Sequence, residues 1–107
     1  MKVHLAFVPP GGGETEYAVE FDMPAVPQAG DYISIIRTSK AGTEDFRVKR
    51  TLWQLGADDA SERTEVKDNW VECEFALSGT SSDDHKAACD RYKQQTSTLI
   101  ELDTTMY

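Results

Sequence analysis

Positive charge is scarce in this chain. Eleven lysines and arginines stand against nineteen aspartates and glutamates, for a net charge of −8. That balance disfavours direct binding to nucleic acid or to an anionic membrane surface, since both are polyanions. Cysteine is scarce too: Cys73 lies in a strand-like run and Cys89 in a helix-like one. In a reducing compartment both are expected as buried, inert thiols, and a redox pair would need the helix to pack Cys89 close over Cys73. No apolar run approaches the roughly 20 residues of a membrane span. The opening stretch Met1–Val8 meets Pro9-Pro10 too soon for a signal-peptide apolar region, which sets the expectation of a cytoplasmic protein.

Catalytic motifs are equally thin. There are two histidines, His4 and His85, and a metal site wants a third ligand at a recognisable spacing. Asp83, Asp84 and His85 are consecutive, and adjacent helix residues do not face one site. No Gly-x-Ser-x-Gly, His-Glu-x-x-His or dinucleotide fingerprint occurs. Pro9-Pro10-Gly11-Gly12-Gly13 is followed by Glu14-Thr15-Glu16, which would repel phosphate, so it reads as a hairpin connection. Cys89 and His85 have the i, i+4 spacing of a possible dyad for a small hydrolase, without a visible third member. The expectation is a non-enzymatic protein with no catalytic residue, no cofactor and no metal.

What the chain does have is one domain's worth of sequence. At 107 residues, with 39% apolar and 28% charged residues, it can bury a core and fold without staples. The charge is laid out in blocks. Glu14, Glu16, Glu20 and Asp22 form one acidic run, and Asp58, Asp59, Glu62, Glu65, Asp68, Glu72 and Glu74 dominate a second. Between them Arg37, Lys40, Arg47, Lys49 and Arg50 form a basic run. Such blocks point to a binding surface more than to a reaction centre.

Alternation of apolar and polar residues gives the strands. Val3, Leu5 and Phe7 mark the first; Tyr17, Val19 and Phe21 the second, with Glu14, Glu16, Ala18, Glu20 and Asp22 on its other face; the two should pair antiparallel. Tyr32–Ile36 is the third. Phe46 and Val48 lie inward on a fourth whose phase slips after Arg50, as a β-bulge or a strand end near Arg50-Thr51 would produce. Gly56–Lys67 reads as an acidic surface loop. Trp70–Leu77 is a fifth strand, with Val71, Cys73, Phe75 and Leu77 on one face and Trp70, Glu72 and Glu74 on the other. Ser81 as N-cap with Asp84 three residues on starts a helix at about 82–96, whose buried face is Ala88, Cys89, Tyr92 and Thr96. Leu99, Ile100 and Leu102 suggest a short closing strand, and Asp103–Tyr107 a frayed end. The expected core is Val3, Leu5, Phe7, Tyr17, Val19, Phe21, Ile33, Ile35, Phe46, Val48, Val71, Cys73, Phe75 and Leu77. The fold class is mostly β (α+β): a single small curled antiparallel barrel of five to six strands over 1–107, with one C-terminal surface helix.

The segment Val26-Pro27-Gln28-Ala29-Gly30-Asp31-Tyr32-Ile33, followed by Phe46-Arg47-Val48-Lys49-Arg50-Thr51-Leu52-Trp53, resembles the small SH3-like β-barrel proteins of phages, prophages and bacteria, over residues 24–55. The resemblance implies a fold and a non-enzymatic tendency, and places the protein in a bacterial or phage-infected cell. In size and charge alone the chain is similar to small acidic anti-defence phage proteins, including anti-CRISPR proteins. The expected function is protein binding: a phage or prophage inhibitor that sets acidic residues against a basic, nucleic-acid-binding surface of a host protein. Residues two apart on a strand lie about 6.6–6.8 Å apart, twice the roughly 3.4 Å phosphate repeat of a DNA strand. The expected partner-binding residues are Glu14, Glu16, Glu20, Asp22, Trp70, Glu72 and Glu74. Arg47, Lys49, Arg50 and Trp53 form a possible second surface, whose cations could instead pair with the acidic blocks across strands or between protomers of a homodimer. The alternative is a housekeeping or virion component whose acidity is only solubility.

Overall fold

The computed structural model describes residues 1–61 and 63–96, with Thr96 described by its backbone alone. Five strands, β1 (Lys2–Val8), β2 (Tyr17–Asp22), β3 (Tyr32–Ile36), β4 (Thr43–Asp58) and β5 (Arg63–Ala76), are followed by α1 (Asp83–Thr96). The strands form one curled half-barrel sheet in the order β2-β1-β5-β4-β3. Every pairing is antiparallel except β1 with β5, which run parallel with Leu5 opposite Val71 and Phe7 opposite Cys73. β2 and β3 are its edges, so the sheet is open. The protein is mostly β with one C-terminal helix, as the alternation predicts.

The core lies on one face of this sheet. Val3, Leu5, Phe7, Phe46, Val48, Val71, Cys73 and Phe75 are buried, and Val19, Phe21, Ile33, Ile35 and Leu77 pack partly buried around them. Tyr17 stays more than a third exposed on the edge strand, though its ring lies 4.7 Å from that of Phe7. Val26, from the connection before β3, and Cys89, from α1, close the core from outside the sheet. The helix lays its Ala88–Cys89–Tyr92 face on Phe75, with Tyr92 and Phe75 ring centroids 5.0 Å apart. The Thr96 side chain, the closing strand at Leu99, Ile100 and Leu102, and the end at Asp103–Tyr107 lie outside the described residues.

Two local readings differ from the structure, and of the two explanations for the phase slip in β4 the bulge holds. The phase slip in β4 is a bulge between Val48 and Arg50, not a strand end, and the strand runs on to Asp58. Gly56–Lys67 is not a surface loop: β4 and β5 pair out to Asp58 opposite Arg63, through a second irregularity between Gln54 and Leu55. Its polar residues hid a strand pair because only one face of a projecting ribbon needs apolar residues, and one of its few apolar members is offset by that second bulge. The helix is capped by Ser82, not Ser81. The His85 N–H donates to Ser82 Oγ at 3.2 Å, and the Lys86 N–H closes the first turn on the Ser82 carbonyl. Ser81 Oγ instead receives the Ser78 N–H and donates to Asp45.

The β3–β4 turn presses against this helix start. Gly42 has φ +85°, and a Cβ there would stand 2.7 Å from the Ser82 backbone, so only glycine fits. Backbone bonds from Thr43 to Thr80 and from Ser82 to Thr43 stitch the two segments together. Ser82→Ala should therefore cost about 1 kcal/mol, and Ser82→Gly only a few tenths. Urea unfolding of both variants measures this; equal losses would show that the cap is not what the hydroxyl supplies.

Candidate binding surfaces

Five of the seven residues expected to bind a partner share the outer face of the sheet: the register sets both Glu20 and Trp70 opposite His4, with Asp22, Glu72 and Glu74 on the same side. Glu14, Glu16, Glu20 and Asp22 are exposed on β2 and the connection leading into it. β2 is a sheet edge, so this acidity sits on a strand with an unpaired side. Asp22 meets the N-terminal ammonium at 3.0 Å in a pair open to water, an arrangement worth little. Among the described residues Glu14, Glu16 and Glu20 make no ion pair. Burial, and then Glu16, push the Tyr92 phenol up to about 12.

Glu72 and Glu74 stand on the same outer face two strands away, on central strand β5. The register sets Arg47 opposite Glu74 and Arg50 opposite Glu72. Arg47 reaches Glu74 at 3.3 Å, Arg50 reaches Glu72 at 2.9 Å, and Lys49 lies 3.8 Å from Glu72. Glu74 is buried under the glycine connection: the Gly11 N–H donates to it at 3.1 Å, and Lys49 Nζ donates to the Gly11 carbonyl at 3.0 Å. The sheet thus sets these two carboxylates against the basic run, in the cross-strand pairing weighed from the sequence.

Trp70 does share this outer face. It is half-buried, stacked on His4 with ring centroids 4.5 Å apart and planes 17° apart, while His4 Nε2 lies 3.3 Å from Asp68. Trp53 lies on the opposite face of the sheet, directly across from Asn69. It is exposed together with Leu55, read from the sequence as out of phase, and Val66, which sequence patterning left in a loop. Three apolar residues in phase across two strands were the signal; the second bulge put Val66 out of step with Trp70.

Cys89 and His85 both turn inward. His85 Nε2 lies 2.7 Å from the Ala76 carbonyl oxygen and 3.2 Å from the Asp45 backbone nitrogen. Cys89 Sγ sits 3.7 Å from the same carbonyl. Burial first, then Asp90 and Asp45, push the Cys89 thiol up to about 12, and burial with Glu72 does the same to Cys73. A thiol held that way is not a nucleophile at neutral pH. Both cysteines are free and buried.

A cluster at the helix end of the sheet was not foreseen. Glu44 accepts from Tyr17 at 3.2 Å and pairs with Arg37, while Lys40 pairs with Asp84 at 2.8 Å. Burial opposes the Glu44 charge, but hydrogen bonds from Arg37 and Tyr17 hold its carboxyl below the usual range. These groups line an open cleft of about 490 Å³ beside Phe75, His85 and Tyr92. Its cations and anions are spent largely on each other.

Among the described residues no three ligand-type side chains are placed to hold a metal, and no helix is long and apolar enough to cross a membrane. No family model matches the chain, and neither a curated protein nor a solved structure matches it.

Proposed function

We propose that this protein works by binding, presenting the acidic edge at β2 to a basic surface on a partner protein. The observation behind this reading is the contrast between the two acidic sets. Glu72 and Glu74 are matched by the chain's own Arg47, Lys49 and Arg50, whereas Glu14, Glu16 and Glu20 face water without a cation among the described residues. Uncompensated charge on an exposed edge steers cationic partners and speeds their encounter. In its sharpest form this is an inhibitor of phage or prophage origin that occupies a nucleic-acid groove, with Glu20 and Asp22 at about twice the phosphate repeat.

The second reading, a housekeeping or virion component whose acidity is solubility alone, is favoured by the ion pairs of the outer face. One experiment separates them: capture from a bacterial lysate by the wild-type chain and by the variant Glu14→Lys, Glu16→Lys, Glu20→Lys, Asp22→Lys. A partner that leaves the wild type as salt rises, and that the variant fails to hold, supports the acidic edge. Equal capture by both, or none by either, sinks it.

A further inference from the structure

The ribbon of β4 and β5 beyond the core has two unlike faces. Residues directly opposite in a sheet share a face, which groups Trp53 with Asn69, Leu55 with Val66, and Ala57 with Thr64. This row continues Phe46, Val48 and Thr51 of β4 and their partners Phe75, Cys73 and Val71, so it is the core side of the sheet carried past the core. None of its six residues is charged. The other face takes the charge: Asp58 opposite Arg63, Glu65 opposite Gly56, and Asp68 opposite Gln54, with the Lys67 stem lying over Gly56. On the uncharged face Trp53, Leu55 and Val66 are 44%, 69% and 52% exposed.

The arm's projection shows in the extents of the molecule, 52 × 29 × 26 Å. A two-stranded ribbon is marginal by itself and needs a packed face to be secure. An apolar face continuous with a core is what a second sheet layer ordinarily covers.

Charge decides which occupant fits. A basic partner gains nothing from a strip with no carboxylate. A second copy, although it carries net −8, can approach here without like-charge contact, because the charged residues of the paired strands, Asp58, Arg63, Glu65, Lys67 and Asp68, lie on the outer, wet face. We infer that the arm is a self-association surface, in which two copies pack their Trp53–Leu55–Val66 faces together about a two-fold axis. Sheets stack about 10 Å apart, and a two-fold axis near Leu55 sets Trp53 of each copy against the smaller Ala57 and Thr64 of the other. The same patch serves both partners, as an isologous contact requires. Six residues of ribbon are about 20 Å long, and the pair would bury roughly 600 Å² in all. That is well below the roughly 1,200–2,000 Å² of a standard interface, so the dimer should be weak and reversible. The surface is separate from β2, and charge reversal at β2 should leave it intact.

Sedimentation velocity over a micromolar concentration series tests it. The wild type should pass from monomer to dimer. Leu55→Glu and Trp53→Glu should weaken association by about tenfold or more while keeping the wild-type circular dichroism and melting midpoint. Leu55→Cys should form a disulfide-linked dimer under mild oxidation, and Gln54→Cys on the charged face should not; Cys73 and Cys89 are buried and do not compete. A wild type that stays monomeric throughout, charged variants that associate as well as the wild type, or equal cross-linking from both new cysteines would each overturn the proposal.

Discussion

Phe46→Ala should lower the unfolding free energy by about 3–5 kcal/mol, the range for deleting a large buried ring whose cavity cannot fully collapse. Phe46 is fully buried, with ring centroids 4.2 Å from Phe7, 5.0 Å from Phe75 and 5.3 Å from His85. It therefore joins β1, β5 and α1 at one point, and those neighbours are fixed by separate elements, so the hole should persist. For a domain whose total stability is about 5–15 kcal/mol, such a loss leaves a substantial unfolded fraction at ordinary temperature. Trp53→Ala is the counterpart. That ring is nearly half exposed on the arm, and its removal should cost under about 1 kcal/mol. Urea unfolding of the two variants, with unchanged m-values, reads the difference. Comparable losses would mean that the arm belongs to the folding core and is not a face held out for a partner.

The contrast between those residues also explains what the sequence made legible. Period-two alternation found β1, β2, β3 and the inner half of β5 because each has one face on the core and one in water, so burial writes the pattern directly. It found Ala88, Cys89 and Tyr92 on the helix for the same reason at helical spacing. It failed on the arm, where no described residue covers the apolar side and a bulge breaks the phase. The parallel pairing of β1 with β5 left no local signal, since it depends on the whole chain's path. The acidic residues were visible as charges, but their fates were not. Whether Glu72 faces solvent or Arg50 is decided by cross-strand register, which single-strand parity does not contain. Ser81 and Ser82 are adjacent and chemically identical, and only the position of Asp45 decides which of them caps the helix.

Asp45 is the residue whose role was least visible and whose replacement should be among the most damaging. It lies fully buried in β4, and hydroxyls converge on its carboxylate from three segments. Ser34 donates from β3, Thr43 at 2.8 Å from its own strand, and Ser81 at 2.6 Å from the approach to the helix. Burial pushes the carboxyl up, but the bonds from Ser34, Ser81 and Thr43 outweigh it and the group titrates below the usual range. Charge-assisted hydrogen bonds are worth about 1.5–3 kcal/mol each, partly offset by the cost of burying the charge. Asp45→Ala should therefore cost about 3 kcal/mol at neutral pH and loosen the Ser78–Ser82 segment that delivers α1 to Phe75. The pH dependence follows from the direction of the shift. A carboxyl whose folded pKa is depressed adds its stability in full above the unfolded value of about 3.9, and loses it as pH falls through the lower folded value. Asp45→Asn keeps the shape without the titration, so the gap between it and the wild type should be widest at neutral pH and narrow below about pH 4. Denaturant unfolding of the wild type and Asp45→Asn at pH 7 and at pH 3 measures that gap. A gap of constant size would show that the hydroxyl cluster holds the side chain by shape and not by its charge.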